Sequence, residues 1–477
     1  MMAQETVSVK VIEQSEIAPP KGCLPSITLP LSFLDIPWFL SRHASRIFFY
    51  DFPFPTQHFL QTALPILKHS LSLTLQHFFP FAGNLIVPPQ PHLPYIRYLD
   101  GDSLSFTVAE SSLPHSHLTL LTSNSPQDVS HWQPLAPVLP SPRASHHATS
   151  PFPLMAIQVT VFPNSGFSLC VIFNHVAADG RTLHHFIKFW ASLSKAKGHF
   201  DFSSLPLPFH HRDTVKDPKG LMHLYLQEMT NSASQSTNHF GGFLCTLYND
   251  KVRATFTFSR QQAQKLKKWV SLKCKEHQHG SGTLHLSTFV VTCSLIWVCM
   301  VKSEQKEKQV TKQCSDDPCK IGFSADCHNH PQFLLPSNYF GNCLIPLLTA
   351  VKRGELVGQN GIVAAAKAIE KKIRDFKSDA LRGAETIMSD IRGLGKCGES
   401  IVIIVGSPKL AAYNTDFGWG KPVKSEVVNL HSSGTISLTD SRDKEGGLQV
   451  GIVLERTRMN NFTNILEKHL THLTLLD

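Results

Sequence analysis

The chain has 477 residues, of which 42% are hydrophobic and 17% are charged, and its formal net charge at pH 7 is +9. This length exceeds the usual size of one domain, so we expect two domains. A basic balance suits phosphorylated ligands as well as nucleic acid. No zinc-finger, RNP or basic-helix motif accompanies the charge, so we expect no nucleic-acid partner.

Targeting signals and disulfide patterns are not evident in the sequence. The first residues lack a basic segment followed by an apolar run, and no stretch reaches the roughly 20 uninterrupted apolar residues of a membrane helix. The 11 cysteines form no CxxC pairs, a pattern typical of reduced thiols. These features predict a cytoplasmic protein without membrane contact.

The first half alternates helical and strand patterns. Apolar residues recur at helical spacing from Phe59 to Leu75, and a continuous apolar run from Phe167 to Phe173 predicts a buried strand. A second helix is predicted from Thr182 to about Leu193. The segment at about 122–153 is rich in Pro, Ser and His, which predicts a surface loop.

The second half repeats this alternation after a segment, 195–240, without strong periodicity. Helices are predicted at 260–272, 287–302, 359–379 and from Met459 to about Leu470, and strands at 252–258, 320–325 and 400–405, with paired strands near 425–430, 434–440 and 447–454. Mixed strands and helices in both halves predict an α/β fold. We therefore expect domains at 1–195 and 241–477, joined by a crossover at 196–240.

A candidate catalytic base stands where the predicted strand ends. His175 follows the apolar run, and Asp179 and Gly180 precede the next helix. Loops at the carboxyl ends of strands commonly bind ligands in α/β proteins, and a neutral imidazole can take a proton from a hydroxyl near neutral pH. A bare HxxxD pattern also arises by chance in a chain with 26 histidines, so the motif alone indicates little.

Two distant segments strengthen the HxxxDG motif. Residues 416–420 read Asp-Phe-Gly-Trp-Gly, and residues 339–343 read Tyr-Phe-Gly-Asn-Cys. With these segments the chain resembles the plant BAHD acyltransferases, which carry HxxxDG in mid-chain and DFGWG nearer the end. The YFGNC segment is similar to the branch that acylates the sugars of anthocyanins and other phenolic glucosides. Further segments that carry the resemblance are 34–38, 46–50, 77–83, 286–289 and 406–409.

The resemblance implies a fold of two similar-sized chloramphenicol acetyltransferase-like domains, with a channel at their interface, in a monomer. Acyl-CoA would be the co-substrate, with no tightly bound cofactor, and His175 would be the general base without a covalent acyl-enzyme. The expected donor is malonyl-CoA, with a hydroxycinnamoyl-CoA as the alternative, and the expected acceptor is a flavonoid or other phenolic glucoside. A weakly active or inactive homologue that binds ligands or partners is another interpretation, motivated by one departure from the family pattern.

That departure lies ahead of YFGNC, where this branch usually reads Asp-Cys-Arg-x-Arg. Residues 326–330 here read Asp-Cys-His-Asn-His, so His328 replaces the arginine that the resemblance places against Asp179. An imidazole has fewer donors than a guanidinium, and its charge depends on pH, which raises the question of how rigid the catalytic loop is. The resemblance gives structural roles near that loop to Asp179, Gly180, His328, Asp416, Gly418 and Trp419.

Coenzyme A requires groups that bind its phosphates. Lys265 and Lys268 on a predicted helix, and Ser287 and Thr288 at the start of the next, are the candidates, because a free helix N-terminus binds anions. Taken alone, the histidines beside Asp326 and Cys327 suggest a metal site, but the resemblance explains their position, so no metal is expected. The GxGxxG at 393–398 precedes a predicted strand, so we interpret it as a turn.

Overall fold

The computed structural model describes residues 8–41, 43–89, 91–112, 114–140, 151–197, 206–233, 250–276, 284–304, 315–394, 399–428, 434–442 and 446–474. In the first half the strands are β1 (Val9–Ile17), β2 (Ile27–Pro30), β3 (Ala44–Asp51), β4 (Asn84–Ile86), β5 (Tyr95–Tyr98), β6 (Leu104–Ser111), β7 (Gln127–Asp128), β8 (Phe152–Pro153), β9 (Met155–Phe162) and β10 (Gly166–Phe173). In the second half they are β11 (Lys251–Phe258), β12 (Pro318–Asp326), β13 (Leu344–Lys352), β14 (Ser400–Val405), β15 (Lys424–Glu426), β16 (Thr435–Asp440) and β17 (Leu448–Glu455).

Helices alternate with these strands in both halves. They are α1 (Thr56–His58), α2 (Leu64–His77), α3 (Pro114–Thr122), α4 (Gly180–Lys195), α5 (Leu221–Ala233), α6 (Arg260–Glu276), α7 (Thr288–Glu304), α8 (Arg353–Val357), α9 (Gly361–Ser378), α10 (Ile387–Arg392) and α11 (Arg456–Thr474). A π-helical segment, Phe59–Ala63, joins α1 to α2. Within the described ranges, no helix is both long enough and apolar enough to cross a membrane.

The strands form three sheets. The largest has seven strands in the order β13-β12-β14-β16-β17-β11-β7, and a second has six strands in the order β1-β6-β9-β10-β3-β15. A small four-stranded sheet, β2-β5-β4-β8, completes the set. Both large sheets mix parallel and antiparallel pairs, for example β6 with β9 and β10 with β9. The predicted α/β class is therefore confirmed.

The centre of the six-stranded sheet presents the candidate base. Every residue of β9 and of β10 is buried, as expected for strands covered on both faces. Helix α4 follows β10 and packs against α2, and its buried face includes Phe186, Ile187 and Trp190. The predicted strand at 167–173 and helix at 182–193 are both confirmed, and the loop between them is held on a fully buried strand.

Two predictions from local pattern are wrong. The strand near 425–430 does not pair with its sequence neighbours, because β15 instead pairs with β3 in the other sheet. The segment 196–240, for which no element is predicted, contains helix α5. Part of the predicted surface loop is interior, since β7 and the turns after it place Trp132 and Leu135 among buried residues. In each case tertiary packing determines the local structure.

Candidate active site

The loop that carries His175 is short and closely hydrogen-bonded. At the end of β10 the side chain of Asn174 accepts a hydrogen bond from the Val176 N–H at 3.1 Å, and the Ala177 N–H donates to the Asn174 carbonyl at 3.0 Å. Asn174 and Val176 are buried, whereas His175 is half-buried. The turn therefore leaves the imidazole of His175 partly exposed, while Asn174 and Val176 on either side of it are buried.

Asp179 is fully buried and caps helix α4. Its Oδ1 accepts from the Thr182 N–H at 2.9 Å, and its Oδ2 accepts from the Cys343 N–H at 3.1 Å. Its own N–H donates to the Gly341 carbonyl at 3.1 Å. These bonds fasten the start of α4 to the YFGNC segment. Gly180 begins the helix, where a Cβ would lie 3.2 Å from the Leu410 Cδ1.

Asn342 determines which nitrogen of His175 carries a proton. Its amide NH2 group donates to the Asp35 Oδ1 at 2.9 Å and to the His175 carbonyl at 2.9 Å. The amide oxygen therefore faces His175, where it lies 3.2 Å from Nδ1. Because a carbonyl oxygen only accepts, Nδ1 must carry the proton. The lone pair of the neutral ring is consequently on Nε2.

Asp35 and Arg212 support Asn342 from behind. Both side chains are fully buried, and the Arg212 Nη1 lies 3.1 Å from the Asp35 Oδ2. Arg212 also donates to the Ala177 carbonyl in the catalytic loop. A buried ion pair persists when further hydrogen bonds satisfy its members. The network thus links His175 to residues about 140 positions before and 167 positions after it in the chain, as the separations of Asp35 and Asn342 indicate.

The environment of the imidazole favours its neutral form. Burial lowers the pKa of His175, and this effect exceeds the opposing influence of Asp179, Asn342 and Asp35, which favour the charged form. The indole of Trp38, in the short 3-10 helix Ile36–Leu40, stacks on the ring with centroids 3.9 Å apart and planes inclined by 13°. The Nε2 has no hydrogen-bond partner among the described residues, and a neutral, oriented imidazole of this kind can act as a general base.

His328 does not hydrogen-bond to Asp179, although the sequence comparison places it there. Its Nδ1 lies 2.7 Å from the Asp326 Oδ1, and its backbone N–H donates to the same oxygen at 3.0 Å. Asp326 in turn forms an ion pair with Arg181, the second residue of α4. The loop therefore retains an arginine, but it comes from the helix and not from the segment ahead of YFGNC.

The DFGWG segment forms a loop packed against α4. Asp416 Oδ1 accepts from the N–H groups of Gly418 at 2.8 Å and Gly420 at 2.9 Å, and its Oδ2 lies 2.7 Å from the Lys195 Nζ. Trp419 packs edge-on against Phe167 of β10 at 5.7 Å. Gly418 has a φ of +111°, which favours glycine. None of these contacts reaches the ring of His175.

The candidate coenzyme A residues lie away from this loop. Lys265 and Lys268 are on α6, Thr288 begins α7, and the two helices pack against each other. Ser287 caps α7, because its Oγ accepts from the Val290 N–H at 3.2 Å. The structure does not bring these residues into contact with His175. Of the GxGxxG segment, only Gly393 and Leu394 lie among the described residues, at the end of α10.

The sequence alone does not identify three of the supporting residues, Asp35, Arg212 and Asn342. Asp35 and Asn342 stand in segments that carry the family resemblance, but no role was assigned to them. Arg212 stands in the crossover segment. Their common signal is weak, since a buried acid, amide and guanidinium become a network only after distant segments meet. Polar residues within otherwise apolar segments, as at Asp35, are the one local hint.

Comparison with known proteins identifies the family of the chain. A family model described as "Transferase family" matches residues 7–469. The chain is 40% identical, over 96% of its length and 97% of the relative's, to coumaroyl-CoA:anthocyanidin 3-O-glucoside-6''-O-coumaroyltransferase 1 of Arabidopsis thaliana. It is 35% identical, over 96% of both chains, to malonyl-coenzyme A:anthocyanin 3-O-glucoside-6''-O-malonyltransferase of Dahlia pinnata.

The fold has solved counterparts as well. The crystal structure of vinorine synthase superposes with a TM-score of 0.66 and covers 95% of this chain and 96% of its own, at 16% sequence identity. The family match spans nearly all of the chain, and the motifs at 175–180 and 416–420 lie within it. The chain therefore belongs to this transferase family, the BAHD acyltransferases, and is an enzyme that transfers acyl groups.

Proposed function

We propose that the protein transfers an acyl group from acyl-CoA to a sugar hydroxyl of an anthocyanin or other phenolic glucoside. The observation that carries this proposal is the state of His175, whose protonated Nδ1 is held by Asn342 and whose Nε2 is left as the base. The substrate class is supported by the names of the relatives, which act on anthocyanin glucosides with coumaroyl-CoA or malonyl-CoA.

In the proposed reaction, His175 Nε2 removes the proton of the acceptor hydroxyl as its oxygen attacks the thioester carbonyl. The tetrahedral oxyanion collapses, the C–S bond breaks, and the imidazolium returns the proton to the departing CoA sulfur. No covalent acyl-enzyme forms, because the acceptor attacks the thioester directly. General-base catalysis typically contributes about 10²–10⁴-fold, and orientation of the two substrates adds more.

For the donor we favour an aromatic acyl-CoA of the coumaroyl type over malonyl-CoA. Identity is 40% with the Arabidopsis coumaroyltransferase and 35% with the dahlia malonyltransferase. The half-buried indole of Trp38 lies beside the base and offers a flat surface to an aromatic ring. Malonyl-CoA remains the second candidate, since the YFGNC segment resembles that of malonyl-transferring relatives.

We propose that Lys265, Lys268 and the start of α7, at Ser287 and Thr288, bind the CoA phosphates. A helix of this length has free N–H groups at its N-terminus, and nearby ammonium groups add positive charge.

The expected cytoplasmic, monomeric state of the enzyme also stays a prediction. Light scattering coupled to size-exclusion chromatography measures the oligomeric state.

The first experiment replaces His175 with Ala. We expect kcat to fall by about 10²–10⁴-fold, while KM for acyl-CoA changes little because the imidazole acts on the hydroxyl proton. The matched control is His223→Ala, since His223 is exposed on α5 and far along the chain from the motif. Turnover by His175→Ala equal to that of the control would contradict the role of His175 as base.

The second experiment identifies the donor. The enzyme is incubated with an anthocyanidin 3-O-glucoside and, separately, with coumaroyl-CoA, caffeoyl-CoA, malonyl-CoA and acetyl-CoA, and products are detected by mass spectrometry. We expect the highest kcat/KM with a hydroxycinnamoyl-CoA. A preference for malonyl-CoA reverses the donor assignment. The same four donors are also tested with a simple phenolic glucoside, and failure to acylate either acceptor with any donor, while the protein still binds CoA, overturns the proposed function.

A further inference from the structure

Two cysteines and a histidine meet below the catalytic loop. Cys327 follows β12, and Cys343 precedes β13, which pairs with β12. The Cys327 N–H donates to the Cys343 carbonyl at 3.0 Å, so the two residues face each other across the end of this strand pair. Both are fully buried, and their Sγ atoms lie 2.8 Å apart. They are free thiols in the structure.

His328 brings a nitrogen ligand to the same place. Its side chain is 2% exposed, its Nδ1 is occupied by Asp326, and its Nε2 is buried without a hydrogen-bond partner among the described residues. Ligand atoms of Asp326, His328 and Cys343 all lie within 4.8 Å of one another. Buried polar groups are rarely left unsatisfied, and the Cys343 thiol near this nitrogen is only a weak hydrogen-bond partner. A cation could satisfy both groups.

We propose that His328, Cys343 and Cys327 bind a thiophilic cation, with Zn²⁺ as the candidate. Binding would separate the two Sγ atoms, which lie 2.8 Å apart, because two sulfurs on one tetrahedral zinc ion are about 3.8 Å apart. Thiolate and imidazole are the preferred zinc ligands. His328 would bind through Nε2, because Asp326 holds its Nδ1 proton, and a carboxylate on the second ring nitrogen is the usual support for a zinc-binding histidine. On binding, each thiol releases its proton to solvent, and His328, which is an imidazolium at neutral pH in the metal-free protein, releases its Nε2 proton and binds as the neutral ring.

The charges around the cluster favour a cation. Asp179 is fully buried and has no Lys or Arg partner in the described part of the chain, since both its oxygens accept from backbone N–H groups. Asp326 adds a second carboxylate, whose Oδ2 forms an ion pair with Arg181. A surface cavity of about 310 Å³ borders Asp326, and Arg181, Lys377 and Lys409 also line it, so Asp326 is the carboxylate that an entering ion would meet there.

The bound ion would act as a positioning element and take no part in acyl transfer. The N–H of Cys343 holds the Asp179 carboxylate, and Asp179 caps the helix after the His175 loop. A cation that fixes Cys343 to His328 would stabilise this junction at the place where the related sequences carry an arginine. The inference does not depend on which acyl donor or acceptor the enzyme uses.

The test uses the full-length protein, purified under reducing conditions and stripped with EDTA. Equilibrium dialysis against ZnCl₂ with elemental analysis is expected to give one ion per chain and a higher melting temperature. With Co²⁺ as the probe, thiolate-to-metal absorption is expected. His328→Ala and Cys343→Ser should abolish both signals, and Asp326→Asn should weaken binding by about 10–100-fold. Affinity should rise between pH 7 and 9, because protons compete for the same atoms.

Matched controls separate the site from general metal binding and from misfolding. His330→Ala changes a histidine in the same segment, and Cys23→Ser changes a cysteine outside the cluster, and both should bind Zn²⁺ like the unaltered protein. His328→Arg should fold normally, judged by its cooperative melting, yet bind no ion. The proposal fails if His328→Ala binds as much Zn²⁺ as the unaltered chain. It also fails if peptide mapping of the freshly purified protein finds a Cys327–Cys343 disulfide.

Discussion

The imidazole of His175 is controlled by two contacts of different kinds. Asn342 touches its edge and fixes the proton on Nδ1, and Trp38 covers its face at 3.9 Å. Burial lowers the pKa of the ring, so the imidazole is neutral at pH 7. The contact with Trp38 acts in the opposite direction, since an indole face attracts a cation, and so do the charges of Asp179 and Asp35. With His175 as the proposed base, the balance of these influences determines the acid limit of activity.

Replacing Trp38 with Leu tests the stacking contact. Loss of the indole removes a contact that favours the imidazolium, so the pKa of His175 should fall further below its ordinary value. The acid limb of kcat/KM should therefore move to lower pH, and kcat should fall because the ring is held less firmly. Trp38→Phe, which keeps an aromatic face, is the control and should shift the limb less. An unchanged acid limb in Trp38→Leu would refute this role.

His328 predicts a pH-dependent stability of the metal-free enzyme. Burial lowers its pKa, but the hydrogen bond to Asp326, the proximity of Cys343 and the charge of Asp179 outweigh burial and raise the pKa from 6.5 to about 9. A raised pKa in the folded state means that the stabilisation is complete below pH 6.5 and is lost as pH rises through 9. Urea unfolding in EDTA from pH 6 to 10 should show this loss relative to His328→Gln. Parallel curves for the two proteins would contradict it.

Among single residues, the sequence predicts those whose role is marked by a motif. His175 is found because HxxxDG, YFGNC and DFGWG occur in order along one chain. Asn342 acts through a hydrogen bond to a residue 167 positions away, a contact that no local pattern contains. His328 is noticed as a departure from the family, yet its actual partner, Asp326, is identified only by the geometry.

At the scale of elements, the DFGWG loop braces the far end of α4. Asp416 binds Lys195 at the last residue of the helix, and the Ser194 Oγ donates to the Phe417 carbonyl at 2.8 Å. Phe417 packs edge-on against Trp190 at 4.9 Å. Since α4 begins at the catalytic loop, Asp179 fixes one end of the helix and the DFGWG loop fixes the other.

Gly418→Ala tests this brace. The φ of +111° at Gly418 is unfavourable for a residue with a Cβ, so we expect the free energy of unfolding to fall by about 1–2 kcal/mol. The added Cβ would lie 3.4 Å from the Lys195 Cα, an ordinary contact, so backbone strain is the cause. Gly393→Ala, at a φ of −71°, is the control. Chemical unfolding measures the difference, and kcat of the folded enzyme should be unchanged.

Long elements with a clear period are predictable, and short ones or those without a period are not. The helices at 260–272, 287–302 and 359–379 all appear, as α6, α7 and α9. Strand β13 is not predicted, because Pro346 stands within it and its apolar residues do not alternate with polar ones. Strands β7 and β15 have two and three residues. Segments so short have no period, and only their partners make them strands.

At the scale of the whole molecule, a buried ion pair joins the two large sheets. Glu426 in β15 belongs to the six-stranded sheet, and Arg253 in β11 belongs to the seven-stranded sheet. The Arg253 Nη2 lies 2.9 Å from the Glu426 Oε2, and the side chains are 3% and 2% exposed. The Arg46 Nη2 of β3 makes a second link, to the Thr439 Oγ1 of β16 at 2.9 Å.

Glu426→Ala should therefore destabilise the entire protein. The substitution leaves Arg253 buried without its partner, which typically costs about 3–5 kcal/mol. Glu399→Ala is the matched control, because its ion pair with Lys320 is partly exposed and such pairs contribute about 1 kcal/mol or less. Urea unfolding followed by circular dichroism and tryptophan fluorescence should give both values. A loss no larger than that of the control would show that the two sheets are joined by other contacts.

The two halves also exchange short strands. Strand β15 from the second half pairs with β3, and β7 from the first half pairs with β11. Recombination between two relatives within 196–240 would thus give each parent's sheet an edge strand from the other parent. Chimaeras with compatible residues at Glu426 and Arg253, and at Asp128 and Val252, should be the ones recovered as active enzymes. When half-genes are fused to exchange substrate preference, the residues at these two sheet edges must therefore be compatible, as well as the residues around His175.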